Sequence, residues 1–386
     1  MKDKNLINLT ILFFSLLLFF VSCEKQKAEW KGTVEEVDGV TIVKNPKEPV
    51  YEGEILTLEE EFIIDTEEDE IAKRGLTKIV NFAVSSEGEI YFQYDQSSPE
   101  YHIFKFDRNG NYVSRFGKSG QGPGEIEMSL SLSINEKDEI FILDDIRRRL
   151  LIYDKNGTLI IEKPIDMEIY RIEQLPNGNY LISGLKAGPD GRKFIKGIYN
   201  SEFEVIKDIE FQMLPSGKEK INAVRNVFMS SISDDCFFIS NVERGYELLA
   251  CDFIGNLKRK IKKEYLNVKV TEEYRKQIMS ALPSELQERY YFPIVFPPFQ
   301  YFFSDEEGRL FVMTYEKSQD YNGYIYDVFN PDGIFICRIS LDNYGKMGPY
   351  QIGTPLPARS KNGRIYCLRT KESGYLELVA YKMIWE

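Results

Sequence analysis

Short apolar runs of strand length recur along most of the chain, separated by polar turns that carry glycine or an Asp/Asn pair. The clearest copy lies between Phe116 and Gly157, reading FGKSGQGPGEIEMSLSLSINEKDEIFILDDIRRRLLIYDKNG. Its runs Ile140 to Leu143 and Leu150 to Tyr153 have strand length, and Asn156-Gly157 is a strong hairpin signal. An earlier copy runs Ile79 to Val84, Ile90 to Tyr94, Ile103 to Asp107 and Tyr112 to Phe116, with turns at SSEG and Asn109-Gly110. More eroded copies begin at Arg171, Val227, Phe299 and Leu356, which brings the units to six.

The last unit has three strands where the others have four, and a closed ring of blades commonly borrows the missing strand from the other end of the chain. Glu54 to Leu58 or Glu61 to Ile64 has the right size and belongs to no other unit. The pattern therefore predicts an all-β, six-bladed β-propeller over residues 50–386, with residues near 54 to 64 pairing with the carboxy-terminal blade. Before it, Thr33 to Val37 and Val40 to Val43 around Asp38-Gly39 predict a separate β-hairpin within 30–49, which ends in the stiff segment NPKEP. Between blades 4 and 5, residues 271–291 break the β pattern: Tyr274, Ile278 and Met279 fall at helical spacing up to Pro283, and a second turn restarts from Ser284 as its cap.

Composition supports the β reading, since 13% of residues are aromatic and only 2 of these are Trp. The net charge of −12 opposes nucleic acid as a partner. A single histidine excludes multi-His zinc sites, and His102, beside Tyr101 at the head of a strand, reads as a rim residue.

The amino terminus reads as an address. Lys2 and Lys4 precede an apolar run from Leu9 to Val21, too short to span a bilayer comfortably. The run ends in Phe20-Val21-Ser22-Cys23, which resembles a bacterial lipobox with Phe20 in place of the usual Leu. We expect residues 1–22 to be a signal peptide, Cys23 to carry lipid, and 23–29 to be a tether to the outside of the cytoplasm at the cell envelope, in the outer membrane or on a periplasmic face. Cys236, Cys251, Cys337 and Cys367 lie in or beside strands without metal-ligand spacing, which reads as buried free thiols.

Gly117-Lys118-Ser119 imitates the end of a phosphate-binding loop, but Tyr112 stands where that loop needs glycine, and the segment leads into a strand instead of a helix. Gly117, Gly120, Gly122 and Gly124 read instead as a tight crossover between blades. Next to them Asp144, Asp145, Arg147, Arg148 and Arg149 form a charged turn. Asp144, Arg147 and Arg148 are candidates for binding a carboxylate, phosphate or acidic glycan.

With these residues in view, the Phe116 to Gly157 stretch resembles the NHL repeat, and the chain resembles six-bladed β-propeller lipoproteins of Bacteroidetes-like bacteria. The resemblance rests on FGKSGQGPGEI, DDIRRRLLIYDKNG, the leader and YYFPIVFPPF. It implies Asp145 and Arg149 as structural contacts between blades, and it implies no agreed activity. The expected function is a lipid-anchored binding or scaffold propeller that recognises a protein, peptide or glycan through one loop face, with no cofactor. The alternative is a calcium-dependent hydrolase or lyase of lactonase type at the central channel, with Asn81, Glu173 and Asn226 among the candidate oxygen ligands.

Overall fold

A computed structural model describes residues 30–94, 100–215, 219–224, 229–318, 323–342 and 358–386. The leader, Cys23 and Asn226 lie outside the described residues. Among the described residues no helix is long and apolar enough to cross a membrane.

The repeated pattern folds into six antiparallel sheets arranged as blades. Blade 1 pairs Ile79–Val84, Ile90–Tyr94, Tyr101–Phe106 and Tyr112–Lys118 in sequence order. Blade 2 runs Ser129–Ile134, Ile140–Asp144, Arg149–Tyr153 and Leu159–Pro164, and blade 3 Glu168–Gln174, Tyr180–Gly188, Gly191–Tyr199 and Val205–Met213. Blade 4 contains Met229–Ile232, Phe237–Ser240, Glu247–Cys251 and Leu257–Lys263. Blade 5 contains Tyr301–Ser304, Leu310–Lys317, Tyr324–Phe329 and Phe335–Leu341. Blade 6 has Ala358–Lys361, Arg364–Thr370 and Leu376–Trp385, and its fourth strand is Leu56–Asp65 from the other end of the chain. Closure of the ring thus uses the segment that the sequence left unclaimed.

The apolar face of each blade is buried against its neighbour, so the core is divided among the junctions. Phe92, Phe106 and Tyr366 fill the space between blades 6 and 1, Tyr91, Ile142 and Tyr153 that between 1 and 2, and Phe303, Tyr326 and Val379 that between 5 and 6. The turns between third and fourth strands repeat one device, in which Asp107, Asp154 and Asp252 accept backbone N–H groups two and four residues on. The glycine closing this turn has no room for a side chain: a Cβ on Gly157 would fall 2.5 Å from Phe116 of the preceding blade. Its φ of 84° also favours glycine.

The amino-terminal hairpin, Thr33–Val37 with Val40–Asn45, is not separate from the ring. Its second strand pairs in parallel with Leu257–Lys263, which widens blade 4 to six strands. Asn45 then ties blade 4 to blade 5, donating to Lys262 O and Gly333 O and accepting from Phe335 N. Val50 and Tyr51 continue along the outer strand of blade 5 before the chain enters blade 6. One segment so braces three consecutive blades.

The predicted insertion forms helices Glu272–Ala281 and Ser284–Gln287. Thr271 caps the first through Tyr274 N, and Pro283 precedes the second, so Ser284 is its first residue and not its cap. Tyr274 and Phe296 pack with Tyr315 and Val224 in a small core of their own.

Candidate functional site

The first strands of the six blades surround a cavity of about 470 Å³, with Val84, Ile134, Glu173, Ser231, Phe303 and Ser360 each supplied by a different blade. That volume lies in the range of ordinary small-ligand sites. Its mouth is formed by the turns after these strands, where Ser86, Asn135, Glu136, Asp234 and Glu306 stand.

Polar side chains enter the wall because the inner strands are irregular. In blades 1, 2 and 3 a register shift after Ile79, Ser129 and Ile169 inserts one extra residue. Such bulges re-aim the side chains that follow. In blade 3, Arg171 and Glu173 then share the lumen face while Ile172 between them is fully buried.

Arg171 Nη2 donates to Glu173 Oε1 at 2.7 Å. Glu173 Oε2 accepts from Ser230 Oγ at 3.2 Å, and Ser230 Oγ accepts from Lys196 Nζ at 2.7 Å. Arg359, from blade 6, donates through Nε to Phe82 O at 2.7 Å and through Nη2 to Asn81 Oδ1 at 3.1 Å. Tyr301, from blade 5, donates to Ala358 O at 2.9 Å.

Three cationic side chains therefore surround one carboxylate. Burial pulls the Arg171 guanidinium down, but the charge and hydrogen bond of Glu173 outweigh it and hold Arg171 above its ordinary value. Glu173 feels a burial penalty too, and Arg171, Lys196 and Arg359 overcome it and keep the carboxyl below its usual range. For the remaining two cations the compensation is incomplete. Burial brings Lys196 down to about 7, with Glu173 opposing and Arg171 adding to the fall. Arg359 is lowered by burial, and Arg171 lowers it further against the opposing charge of Glu173. Two guanidinium groups close enough to repel line one cavity, an arrangement that an anion would relieve.

Calcium does not fit this donor set. Asn81 Oδ1 is engaged by Arg359 and by Phe82 N, and Glu173 by Arg171 and Ser230. A divalent cation would face Arg171, Arg359 and Lys196. Among the described residues no three His, Cys, Asp or Glu side chains are grouped to hold a metal.

The charged turn of blade 2 lies elsewhere. Ser129 pairs with Asp144 and Ile134 with Ile140, so Asp144 sits at the opposite end of the blade from the cavity mouth. Asp144 is 1% exposed. It accepts from Glu127 N and Met128 N, both at 3.1 Å, and from Arg149 Nε and Nη2 at 3.2 and 3.1 Å. Asp144 is thus withdrawn from ligand binding, and it takes the place expected for Asp145, which is exposed at the turn. Arg149 also donates to Glu162 Oε1 at 2.5 Å and Glu125 O at 2.6 Å. Glu162 in turn accepts from Gly124 N at 3.2 Å, so this knot clamps the glycine crossover onto its own blade. Gly117 and Gly124 adopt φ of 66° and 69° there, and Gly122 N donates to Glu125 Oε2 at 2.9 Å. Gly120 N donates to Ile126 O within the same crossover.

Arg147 reaches Glu127 at 3.4 Å and donates to Gln121 O, while Arg148 is exposed near enough to Glu168 to lower that carboxyl further. His102 is fully buried inside blade 1 and not on a rim, and burial pushes its pKa down. Cys236, Cys251, Cys337 and Cys367 are free thiols, and burial pushes the last three up to about 12.

The comparisons with known proteins agree with this architecture. Residues 84–239 match a family described as a 6-bladed beta-propeller, DUF5128. The chain is a six-bladed β-propeller. An exported protein of Bacteroides fragilis NCTC 9343 superposes on it with a TM-score of 0.52 at 13% identity, over 89% of this chain and 99% of that one. A DUF4221 member from Bacteroides vulgatus gives 0.44 at 13% identity over 86% and 99%, and a gluconolactonase of Xanthomonas campestris 0.42 at 10% over 79% and 86%. At 13% identity the likeness to the Bacteroides fragilis protein is one of fold. No curated protein matches the sequence.

Arg171, Lys196, Ser230, Tyr301 and Arg359 were not singled out by sequence reasoning. The available signal was local: Arg171 and Glu173 are charged at alternate positions of an inner strand whose intervening residue is apolar.

Proposed function

We propose that the protein is a non-catalytic binding propeller outside the cytoplasm, held at the cell envelope through lipid on Cys23, that takes an anionic ligand into its channel cavity. A protein, peptide or glycan partner would present its acidic group there, at the face formed by the turns after the inner strands.

The carrying observation is the pair Arg171 and Arg359. Both line the cavity, Arg171 spends one nitrogen on Glu173, and Arg359 spends two on blade 1. Their remaining N–H groups are suited to a bidentate oxyanion. Charge-assisted hydrogen bonds of this kind contribute about 1.5–3 kcal/mol each.

Calorimetric titration of the mature chain with small organic acids should show saturable binding. Arg171→Met should weaken it at least about tenfold, the size expected for one such bond. Asp234→Trp at the mouth should block it. Binding that survives both changes would refute the channel site. Cell fractionation checks the anchor: Cys23→Ser should move the protein from membrane to soluble fraction.

A further inference from the structure

We propose that the ligand is a saccharide bearing one carboxylate, seated with the carboxylate between Arg171 and Arg359 and a sugar ring against Tyr301. The inference rests on the reading of the channel as an anion site and specifies what the anion belongs to.

Three observations converge on this chemistry. The cationic locus lies away from the mouth: Arg171, Tyr301 and Arg359, from the inner strands of blades 3, 5 and 6, line the same cavity. Tyr301 is partly exposed, with its hydroxyl fixed on Ala358 O, so an aromatic surface is held rigidly beside the guanidinium pair. An immobilised amphipathic ring of this kind suits the apolar C–H face of a sugar.

Toward the mouth the lining changes sign. Ser86, Asn135, Glu136, Asp234 and Glu306 are hydroxyl, amide and carboxylate groups, and Lys361, the cation among the lining residues there, is paired with Glu306 at 2.7 Å. These groups accept hydrogen bonds from hydroxyls. The carboxylates repel a second negative charge, which disfavours polyphosphates and dicarboxylates that would extend from the deep locus to the rim. A body rich in hydroxyls that ends in one carboxylate satisfies both zones, and the volume of about 470 Å³ admits a ligand of small-molecule size.

The test is calorimetric titration of the mature chain with glucuronate, galacturonate and their short oligomers, beside glucose, galactose and inorganic phosphate. The uronates should bind at least about tenfold more tightly than the neutral sugars and than phosphate. Arg171→Met should erase that preference, Arg171→Lys should restore part of it, and Tyr301→Leu should weaken uronates without improving phosphate. Thermal melting of each variant checks that it is folded. Small organic acids that bind through Arg171, with uronates binding no tighter than those acids or than neutral sugars, would leave the channel reading standing and overturn the acidic-saccharide assignment. Phosphate that binds as well as the uronates would show a general oxyanion site and overturn it too. If neither the saccharides nor small organic acids bind, the assignment and the channel reading fail together.

Discussion

Two of the charged clusters in this propeller differ in kind. In the blade 2 knot, Arg149 lies between Asp144 and Glu162, and nearly every oxygen is also engaged by a backbone N–H of the crossover loop. In the channel, Arg171, Arg359 and Lys196 share Glu173. The first cluster is complete in itself and lies within one blade, with Asp144 and Arg149 buried and Glu162 at its exposed edge. The second is assembled by blades 3, 4 and 6, carries excess positive charge and opens on a cavity. Completeness marks the one as a structural clamp, and imbalance marks the other as a site that awaits something.

The largest effect should come from breaking the complete cluster. Asp144→Ala leaves Arg149 buried with Glu162 as its remaining carboxylate and strips acceptors from Glu127 N and Met128 N. Removing one partner of a buried pair typically costs about 3–5 kcal/mol. Denaturant unfolding should show a loss of that size, with ligand affinity of the folded fraction unchanged. Loss of affinity without loss of stability would reverse the roles assigned to the two clusters.

The sequence revealed these clusters unequally. The blade pattern, the helical insertion and the strand that closes blade 6 were legible because each is a local periodicity or a count of strands. Arg149 was legible as a structural residue, but its partner was displaced by one. In the Asp144-Asp145 pair, strand alternation sends one side chain into the blade and the other to the turn, and only the register of Arg149 against Asp144 decides which. The amino-terminal hairpin was legible as a hairpin, whereas its docking on blade 4 depends on a parallel pairing that leaves no local mark. The channel cluster was almost silent. Lys196 sits in the ordinary strand sequence FIKGIY, and Arg359 and Ser230 are far from it along the chain. Only closure of the ring brings them together.

A smaller effect separates the clusters by pH. Burial brings the Lys196 ammonium from the ordinary 10.5 to about 7 in the folded chain. Between these values the unfolded chain binds a proton there that the folded chain does not, so this group makes stability rise with pH across that window and fall again toward pH 7. One proton of difference is at most about 1.4 kcal/mol per pH unit. The charged groups facing Lys196 are Glu173 and Arg171, both held in their ionised forms across this range, so they leave the window to the lysine. The knot contributes nothing between pH 7 and 9. For Glu162 the burial penalty is outweighed by Arg149, its carboxyl is held below the ordinary 4.5, and its contribution disappears only as pH falls past that range. Unfolding free energies of wild type and Lys196→Met, measured at pH 7, 8 and 9, should therefore converge as pH rises, with the methionine variant holding its greatest advantage near pH 7. The same series for Asp144→Ala should run parallel to wild type. A Lys196→Met difference that stays constant with pH would mean that Lys196 keeps its charge in the fold, and the incomplete compensation assigned to its burial would be wrong.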